Sequence, residues 1–406
     1  GYKEYIKGKT KLSKGDKIYI NNRDKTVVLM TIGKDMLDGI HFVVSHIDSP
    51  RLDLKPNPLY QSDDIAYFKT HYYGGIRKYQ WPTVPLSMHG RVFLGGGKYV
   101  DICIGEGKDD TRFFITDLLP HLADKQNERK LKEGINGEEL NIIVGSNPID
   151  IDDKEVKDKV KHHVLTILNK EYGIKEKDFV RAEIEFTPAT KASDIGFDRS
   201  MIAAYGQDDR VCAYPALVAE IENKNFDMTS CAVFTDKEEI GSEGNTGMVS
   251  NFLFDIIEDI CDDLKIKARD VYRKSICFSS DVNSAYDPTF ADVFEKRNAS
   301  QVNHGVVVTK YTGARGKSGA NDASAETMAR VVDIMDKNNV VWQIGELGKV
   351  DIGGGGTIAA YMSDRNIDTV DIGVAVLAMH APYEVTSKLD IYHTYLAYKA
   401  LLAEKN

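Results

Sequence analysis

Short runs of β-branched and apolar residues alternate along the chain with longer amphipathic segments. The apolar runs predict buried strands at 26–32, 40–47, 231–234, 275–278, 305–311 and 370–380. The amphipathic segments predict helices at 151–172, 211–223, 250–266, 322–337 and 388–404. We therefore expect an α/β protein.

The middle of the chain differs from its flanks. Residues 66–99 are rich in aromatic residues and glycine, and their alternation predicts β structure. Further strands are predicted at 140–144 and 182–186. Because this region is charged and poor in small core residues, we interpret 89–190 as a separate insertion within a larger domain.

The length, composition and net charge of the chain exclude several kinds of protein. A chain of 406 residues is too long for one ordinary core, and 42% apolar with 28% charged residues is typical of a globular protein. The net charge of −10 argues against nucleic acid as a partner. We expect no membrane span, because no apolar run is long enough. The chain lacks an initiator Met and a signal-peptide pattern, so we expect a few missing residues rather than a leader.

The five cysteines are scattered and never form a Cys-x-x-Cys motif. That pattern predicts reduced thiols in a cytoplasm and excludes a cysteine zinc site. Any metal ion here must be held by histidines and carboxylates.

Two adjacent carboxylates follow the strand predicted at 231–234. Glu238 and Glu239 lie where that strand ends, and strand ends in α/β sheets collect ligands. Because neighbouring carboxylates repel, we expect a division of labour in which one binds a metal ion and the other acts as general base. An isolated Glu-Glu pair is more often a solvated turn, so the rest of the chain decides.

Other metal-type residues also stand at strand ends or turns. His46 ends one predicted strand, and Asp48 shares its face of the extended chain, where it can fix the imidazole tautomer. Asp208 opens a predicted helix, and each such residue has an ordinary alternative, here a helix N-cap. Taken together, the residues form a set of two histidines and three carboxylates: His46, Asp208, Glu239, Asp281 and His380.

This set suits two zinc-type ions with one bridging carboxylate, and it leaves Glu238 as base. The sequence contains neither a Gly-x-Ser-x-Gly motif nor a P-loop. The glycine run before the helix predicted near 358 instead predicts close approach of backbone amides to a substrate, at Gly355 and Gly356.

Here the chain resembles the bacterial-type members of the aspartyl aminopeptidase and aminopeptidase I family of di-zinc metallo-aminopeptidases. Segments spread over nearly the whole chain carry the resemblance: His46-Ile-Asp-Ser-Pro-Arg-Leu, Gly74-Gly, Gly90-Arg-Val, Asp208-Asp-Arg, Asp236-Lys-Glu-Glu-Ile-Gly-Ser, Ser280-Asp and Ala378-Met-His-Ala-Pro-Tyr-Glu.

The resemblance implies a zinc-peptidase three-layer α/β/α catalytic domain, which the composition places at 1–88 and 191–406. A smaller β-rich dimerisation domain would interrupt it at 89–190. The resemblance also implies peptide substrates and a homo-oligomer, commonly a dodecamer built from dimers. Two divalent ions are expected, zinc by preference, with cobalt or manganese also suited. In the implied ligand set His46 and Asp281 hold one ion, Glu239 and His380 the other, and Asp208 bridges.

Further roles follow from the same resemblance. Glu238 would be the general base, His121 a transition-state donor in a neighbouring subunit's active site, and Lys310 the partner of a substrate carboxylate. The aspartyl-specific members carry a histidine where this chain has Ser284 and a tyrosine where it has Lys317. Both acidic and neutral N-terminal residues are therefore expected as candidate substrates.

The expected reaction is removal of the N-terminal residue from a peptide. A carboxypeptidase or an N-acyl amino-acid deacylase could use the same two-metal core. A non-catalytic assembly protein could use the fold as a shell, although the presence of every ligand and of Glu238 argues against this alternative.

Overall fold

The computed structural model describes residues 1–150 and 157–405, so residues 151–156 of the helix predicted at 151–172 lie outside the described residues. The strands, in chain order, are β1 (Lys3–Glu4), β2 (Lys17–Asn22), β3 (Thr26–Thr31), β4 (Ile40–His46), β5 (Arg51–Ser62), β6 (Ile65–Tyr73), β7 (Leu86–Gly95), β8 (Lys98–Ile104), β9 (Phe114–Ile115), β10 (Ile142–Gly145), β11 (Ala182–Pro188), β12 (Ser193–Ile195), β13 (Met201–Ala204), β14 (Thr229–Thr235), β15 (Ile276–Ser280), β16 (Asn283–Ser284), β17 (Val306–Thr309), β18 (Trp342–Ile344), β19 (Asp368–Gly373), β20 (Ala375–Leu377) and β21 (Glu384–Ser387).

The α-helices are α1 (Asp124–Asn127), α2 (Lys159–Tyr172), α3 (Gln207–Glu222), α4 (Phe252–Leu264), α5 (Ala268–Tyr272), α6 (Ala325–Lys337), α7 (Ala359–Ser363) and α8 (Lys388–Ala403). Short 3₁₀ helices occupy Met36–Asp38, Lys78–Gln80, Pro120–Leu122, Leu131–Glu133, Gly137–Glu139, Glu176–Arg181, Glu238–Ile240 and Pro288–Val293.

The chain folds into two compact units. The first contains residues 1–49, 193–379 and 384–406, and the second contains 50–192 and 380–383. The sequence predicts a later start for the insertion, at residue 89. The earlier start has a structural reason, because β5 pairs with β11 and β6 pairs with β10 within the sheet of the second unit.

A mostly parallel core organises the first unit. Within the described residues its main sheet has the strand order β1-β2-β3-β14-β4-β15-β19-β17-β18. The central strands β14, β4, β15 and β19 run parallel to one another. Every residue of β4 is buried, as expected for a β-branched strand covered on both faces.

Helices cover both faces of this sheet. Residues of α4, α5 and α7 pack in the core on one face, and residues of α3, α6 and α8 pack in the core on the other. Neighbouring strand residues alternate between the two cores: Phe42 lies in the first and Val43 in the second. The predicted three-layer α/β/α architecture is confirmed.

The second unit is β-rich. In its described residues a sheet of order β8-β7-β11-β5-β6-β10-β9 packs against α2 and encloses its own hydrophobic core, which includes the buried Trp81 and Phe186. The structure therefore contains a strand-rich unit in the part of the chain where the sequence predicts an inserted, strand-bearing domain.

The strand predicted at 370–380 is wrong as a single element. The chain leaves the main sheet after β19 and enters a second sheet of the first unit through β20, in the order β12-β13-β21-β20-β16. A Cβ on Gly373 would lie 1.9 Å from the carbonyl oxygen of Asp281. Only glycine permits this close backbone approach at the point where the chain changes sheets.

Candidate metal centre

The carboxyl ends of three parallel strands deliver the central side chains to one edge of the main sheet. His46 is the last residue of β4 and pairs with Thr235 at the end of β14. Glu238 follows β14 by three residues, and Asp281 follows β15 by one. This edge is where α/β sheets collect ligands.

His46 is the centre of the cluster, and its side chain is only 1% exposed. Its Nε2 lies 3.1 Å from Oδ1 of Asp208, 3.7 Å from Oδ1 of Asp281 and 3.9 Å from Oε2 of Glu238. Its Nδ1 lies 3.1 Å from the carbonyl oxygen of Asp48. A proton on Nδ1 leaves Nε2 free to bind a cation among the carboxylates.

Asp48 connects His46 to the Glu238–Ile240 turn. Its Oδ1 lies 3.3 Å from Nδ1 of His46 and accepts the N–H of Glu238 at 3.1 Å. Its Oδ2 accepts the N–H of Glu239 at 3.2 Å. One buried carboxylate thus fixes both the imidazole and the backbone that carries the two glutamates.

The first turn of α3 contributes two more carboxylates. Asp208 and Asp209 depart from helical backbone angles, and the peptide bond between them is cis. The backbone N–H of Asp208 donates to Oε2 of Glu384 at 3.2 Å. Both aspartates are buried, and the N-cap position of α3 is occupied by Gly206 rather than by either of them.

Burial and crowding of negative charge raise the pKa of several carboxyl groups. Burial, followed by the charge of Asp281, raises the pKa of Glu238 to about 8. Burial, again with Asp281 nearby, raises the pKa of Asp209 well above its ordinary range. Burial also opposes the charge on His46, but the carboxylates of Asp208, Asp281 and Asp48 outweigh it and raise its pKa. The protein thus gathers more negative charge here than one histidine can balance.

The residues present fit a divalent cation. Ligand atoms of His46, Asp209 and Asp281 lie within 4.8 Å of one another, as do those of His46, Glu238 and Glu239. Imidazole nitrogen and carboxylate oxygen are the donors that zinc takes in open, catalytic sites. A cation among them would relieve the repulsion that raises the carboxyl pKa values.

The other predicted site residues have contacts of their own. His380 is grouped with the second unit, where its Nδ1 lies 2.8 Å from the carbonyl oxygen of Gly75. His121 is an exposed residue of the Pro120–Leu122 turn, also in the second unit. The Lys310 ammonium contacts Asp322. In the glycine run, Gly356 faces the carbonyl oxygen of Gly319, and Gly355 accepts a hydrogen bond from Gly313.

Sequence reasoning missed two residues of this centre. Asp209 joins His46 and Asp281, and Glu384 holds the backbone of Asp208. The adjacent Asp-Asp pair was a signal for the first. Glu384 lies 176 residues from Asp208, and only the fold brings them together.

A sequence profile described as "Aminopeptidase I zinc metalloprotease (M18)" matches residues 1–402. The chain belongs to this family. It is 50% identical over 401 residues to the "Probable M18 family aminopeptidase 1" of Clostridium acetobutylicum. The alignment covers 98% of this chain and 86% of that protein. The protein of the same name from Thermotoga maritima is 46% identical and covers 95% of this chain and 85% of its own length.

Solved structures agree with the family assignment. The M18 aminopeptidase of Thermotoga maritima superposes with a TM-score of 0.93 at 44% identity, covering 97% of this chain and 87% of that one. Aminopeptidase I of Clostridium acetobutylicum gives 0.93 at 47% identity, with 97% and 86% covered. The chain is a metal-dependent aminopeptidase of the zinc type, as the sequence predicted. Within residues 1–150 and 157–405, no helix has both the length and the apolar character needed to cross a bilayer.

Proposed function

We propose that this member of the aminopeptidase I family removes the N-terminal residue of peptides with two metal ions, using Glu238 as general base. The supporting observation is the placement of Glu238: its Oε2 lies 3.9 Å from Nε2 of His46, and its backbone is held by Asp48. His46 and Asp281 would hold one ion, with Asp208 bridging. Glu239 and His380 would hold the other, His380 by family resemblance and by its place three residues beyond β20.

When bound, the ions would supply Lewis-acid chemistry that polarises the scissile carbonyl and acidifies the attacking water. Glu238 would take the proton of that water and pass it to the leaving amine. Its burial among carboxylates raises the pKa of Glu238, whereas nearby cations would lower it toward neutrality, where a general base is most effective. His121 from a neighbouring subunit remains the proposed oxyanion donor.

Assembly and location are proposals as well. The solved mature aminopeptidase 1 of yeast is a dodecamer, and this chain shares its fold with a TM-score of 0.75 at 21% identity. We propose a homo-oligomer of the same kind, with the second unit at the dimer contact. The free cysteines favour a reducing compartment such as the cytoplasm.

The test is hydrolysis of leucyl-, alanyl-, aspartyl- and glutamyl-p-nitroanilide, each with a free or an acetylated amine, before and after chelation and zinc return. Cleavage of free-amine substrates that chelation abolishes and zinc restores is expected. Release of acetate from the acetylated compounds, with the anilide bond left intact, would favour the deacylase alternative.

The base is tested by Glu238→Gln, which should lower kcat by about 10²–10⁴-fold at unchanged zinc content. Glu243→Gln is the matched control, since Glu243 is an exposed glutamate of the same loop. A Glu238→Gln protein as active as the wild type would exclude Glu238 as base.

A further inference from the structure

Two lysines beyond β17 converge on a single carboxylate. Nζ of Lys310 lies 2.6 Å from Oδ1 of Asp322, and Nζ of Lys317 lies 2.8 Å from Oδ2 of the same residue. Lys310 also donates to the carbonyl oxygen of Ala323 at 2.7 Å. The loop closes on itself through a bridge between Tyr311 and Asp322, so the three charged groups form one compact cluster.

The strand that leads to this cluster, β17, lies two strands from β15 in the main sheet. Thr309, the last residue of β17, pairs with Asp371 of β19, which in turn pairs with Ser279 of β15. Two strand spacings and two residue rises place the Cα atoms of Thr309 and Asp281 about 12 Å apart. Because β17 is antiparallel to β19, Lys310 is one residue rise farther away, with its Cα about 14 Å from that of Asp281. An extended lysine side chain and one substrate residue together span this distance.

Hydrogen bonds tie the start of the loop to the residues that follow Asp281. Oγ1 of Thr309 accepts from Nδ2 of Asn283 at 3.0 Å, and Asn283 is two residues beyond Asp281. The loop also packs on the glycine run, where a Cβ on Gly354 would lie 2.1 Å from the carbonyl oxygen of Gly313. The start of the loop is therefore fixed to the segment that follows Asp281 and to the glycine run.

We propose that Asp322 is a specificity-determining residue that masks Lys310 and Lys317 from substrate carboxylates, so that the enzyme prefers neutral to acidic N-terminal residues. The inference rests on the aminopeptidase activity proposed above. Asp322 occupies the lysines with the group that an aspartyl or glutamyl side chain would otherwise supply.

The charge balance favours this masking role. Two ammonium groups without Asp322 would present two positive charges to a substrate, whereas the cluster with Asp322 presents one. Tyr311, in the same loop, donates its hydroxyl to Oε1 of Glu346 at 2.6 Å, so a further carboxylate lies beside the cluster. An acidic substrate would have to displace Asp322 from charge-assisted bonds while its own carboxylate was repelled.

Folding alone does not explain the cluster. The side chains of Lys310, Lys317 and Asp322 are 41%, 43% and 46% exposed, and exposed ion pairs contribute little to stability. Removal of the Asp322 charge should therefore leave the fold intact and change only what the lysines can bind.

The experiment compares kcat/KM for glutamyl- and leucyl-p-nitroanilide in the zinc-loaded full chain. Wild type should favour the leucyl substrate, and Asp322→Asn should raise the glutamyl-to-leucyl ratio by about tenfold. Asp227→Asn is the matched control, because Asp227 also bridges two lysines, Lys14 at 3.2 Å and Lys405 at 2.8 Å. The control should leave the ratio unchanged.

A triple variant separates masking from a structural effect of the loop. Lys310→Met and Lys317→Met combined with Asp322→Asn should abolish the gain, since both unmasked lysines are gone. A wild type that already prefers the glutamyl substrate, or an Asp322→Asn ratio equal to that of wild type, would overturn the inference. Failure of the wild type to cleave either substrate would instead refute the proposed function.

Discussion

Asp48 contacts both His46 and the backbone that carries the two glutamates. Its two carboxylate oxygens accept the backbone N–H groups of Glu238 and Glu239, and Oδ1 also lies 3.3 Å from Nδ1 of His46. Because it holds the imidazole from behind, it sets which nitrogen faces the carboxylates. Its contribution is therefore to the positions and basicity of other groups.

We expect Asp48→Asn to weaken zinc binding by about 10–100-fold, because the amide removes the charge behind His46 and one of the two acceptors for the glutamate backbone. Competition with a chromophoric chelator measures the affinity. Asp35→Asn is a suitable control, since Asp35 accepts the N–H of Leu37 in a similar short turn but lies outside the cluster. Equal zinc affinity in Asp48→Asn and wild type would show that Asp48 does not tune the centre.

The sequence could predict contacts between residues close in the chain, but not those that loops create. The i, i+2 spacing of His46 and Asp48 in an extended segment predicted their proximity. The ion-pair partner of Lys310 could not be predicted in this way. Its partner Asp322 follows a loop of eleven residues, and only the closure of that loop brings the carboxylate back to the lysine.

Helix α3 carries buried charge at both ends. Its first turn supplies Asp208 and Asp209, and its last turn buries Glu220. Oε1 of Glu220 accepts from Thr31 at 2.6 Å, and Oε2 accepts from Ser230 at 2.7 Å. These hydroxyls satisfy the carboxyl group without neutralising it, and burial raises the pKa of Glu220 above its usual value.

The raised pKa gives stability a definite pH dependence. The folded state holds the Glu220 proton more tightly than the unfolded state does. The contribution of this protonated group to the free energy of unfolding is therefore complete below the unfolded pKa. It is lost as pH rises through the higher folded pKa. Glu220→Gln should remove that loss. The Tm of the variant minus the Tm of the wild type should rise by on the order of 2 °C from pH 4 to pH 8.

Calorimetry of the zinc-loaded wild type and Glu220→Gln proteins across this pH range measures the difference between their Tm values. The titration of all other groups affects both proteins equally and cancels in this difference. Thr31 and Ser230 can reorient their hydroxyls toward an amide, so the substitution preserves the local hydrogen bonds. A constant difference between the two Tm values at every pH would contradict the assignment.

Strong periodicity predicted whole elements well, and changes of sheet escaped it. The helix predicted at 322–337 is α6, which begins after a Ser324 cap that accepts the N–H of Thr327. The run at 370–380 instead divides between two sheets, although residues 370–376 are buried throughout and give no sign of the change. A hydrophobic pattern indicates that a strand is buried, but it does not indicate which sheet supplies the neighbouring strand.

The metal centre draws on segments far apart in the first unit. His46, Asp208, Glu238 and Asp281 come from the ends of three strands of one sheet and from the start of α3, a helix that packs on that sheet. The second unit has its own core, made of residues between Leu52 and Phe186. A cation that draws the strand ends together therefore stabilises the sheet of the first unit directly.

Removal of the metal should destabilise the first unit more than the second, because every proposed ligand except His380 belongs to the first unit. Binding to the native state alone stabilises it by RT ln(1 + [L]/Kd), about 4 kcal/mol at a thousandfold excess over Kd. Without that cation the buried carboxylates, whose pKa values are already raised by burial and mutual repulsion, oppose folding. We expect chelated protein to unfold several degrees below the zinc-loaded protein.

Hydrogen exchange locates the effect. Chelation should speed amide exchange in β4, β14, β15 and the first turn of α3, while β5, β6, β7 and β11 of the second unit should exchange as before. Zinc return should restore both the protection and the Tm, whereas magnesium should not, because the ligand set combines imidazole with carboxylates. Uniform loss of protection in both units would mean that they unfold as one cooperative body, and unchanged exchange at the strand ends would place the metal elsewhere.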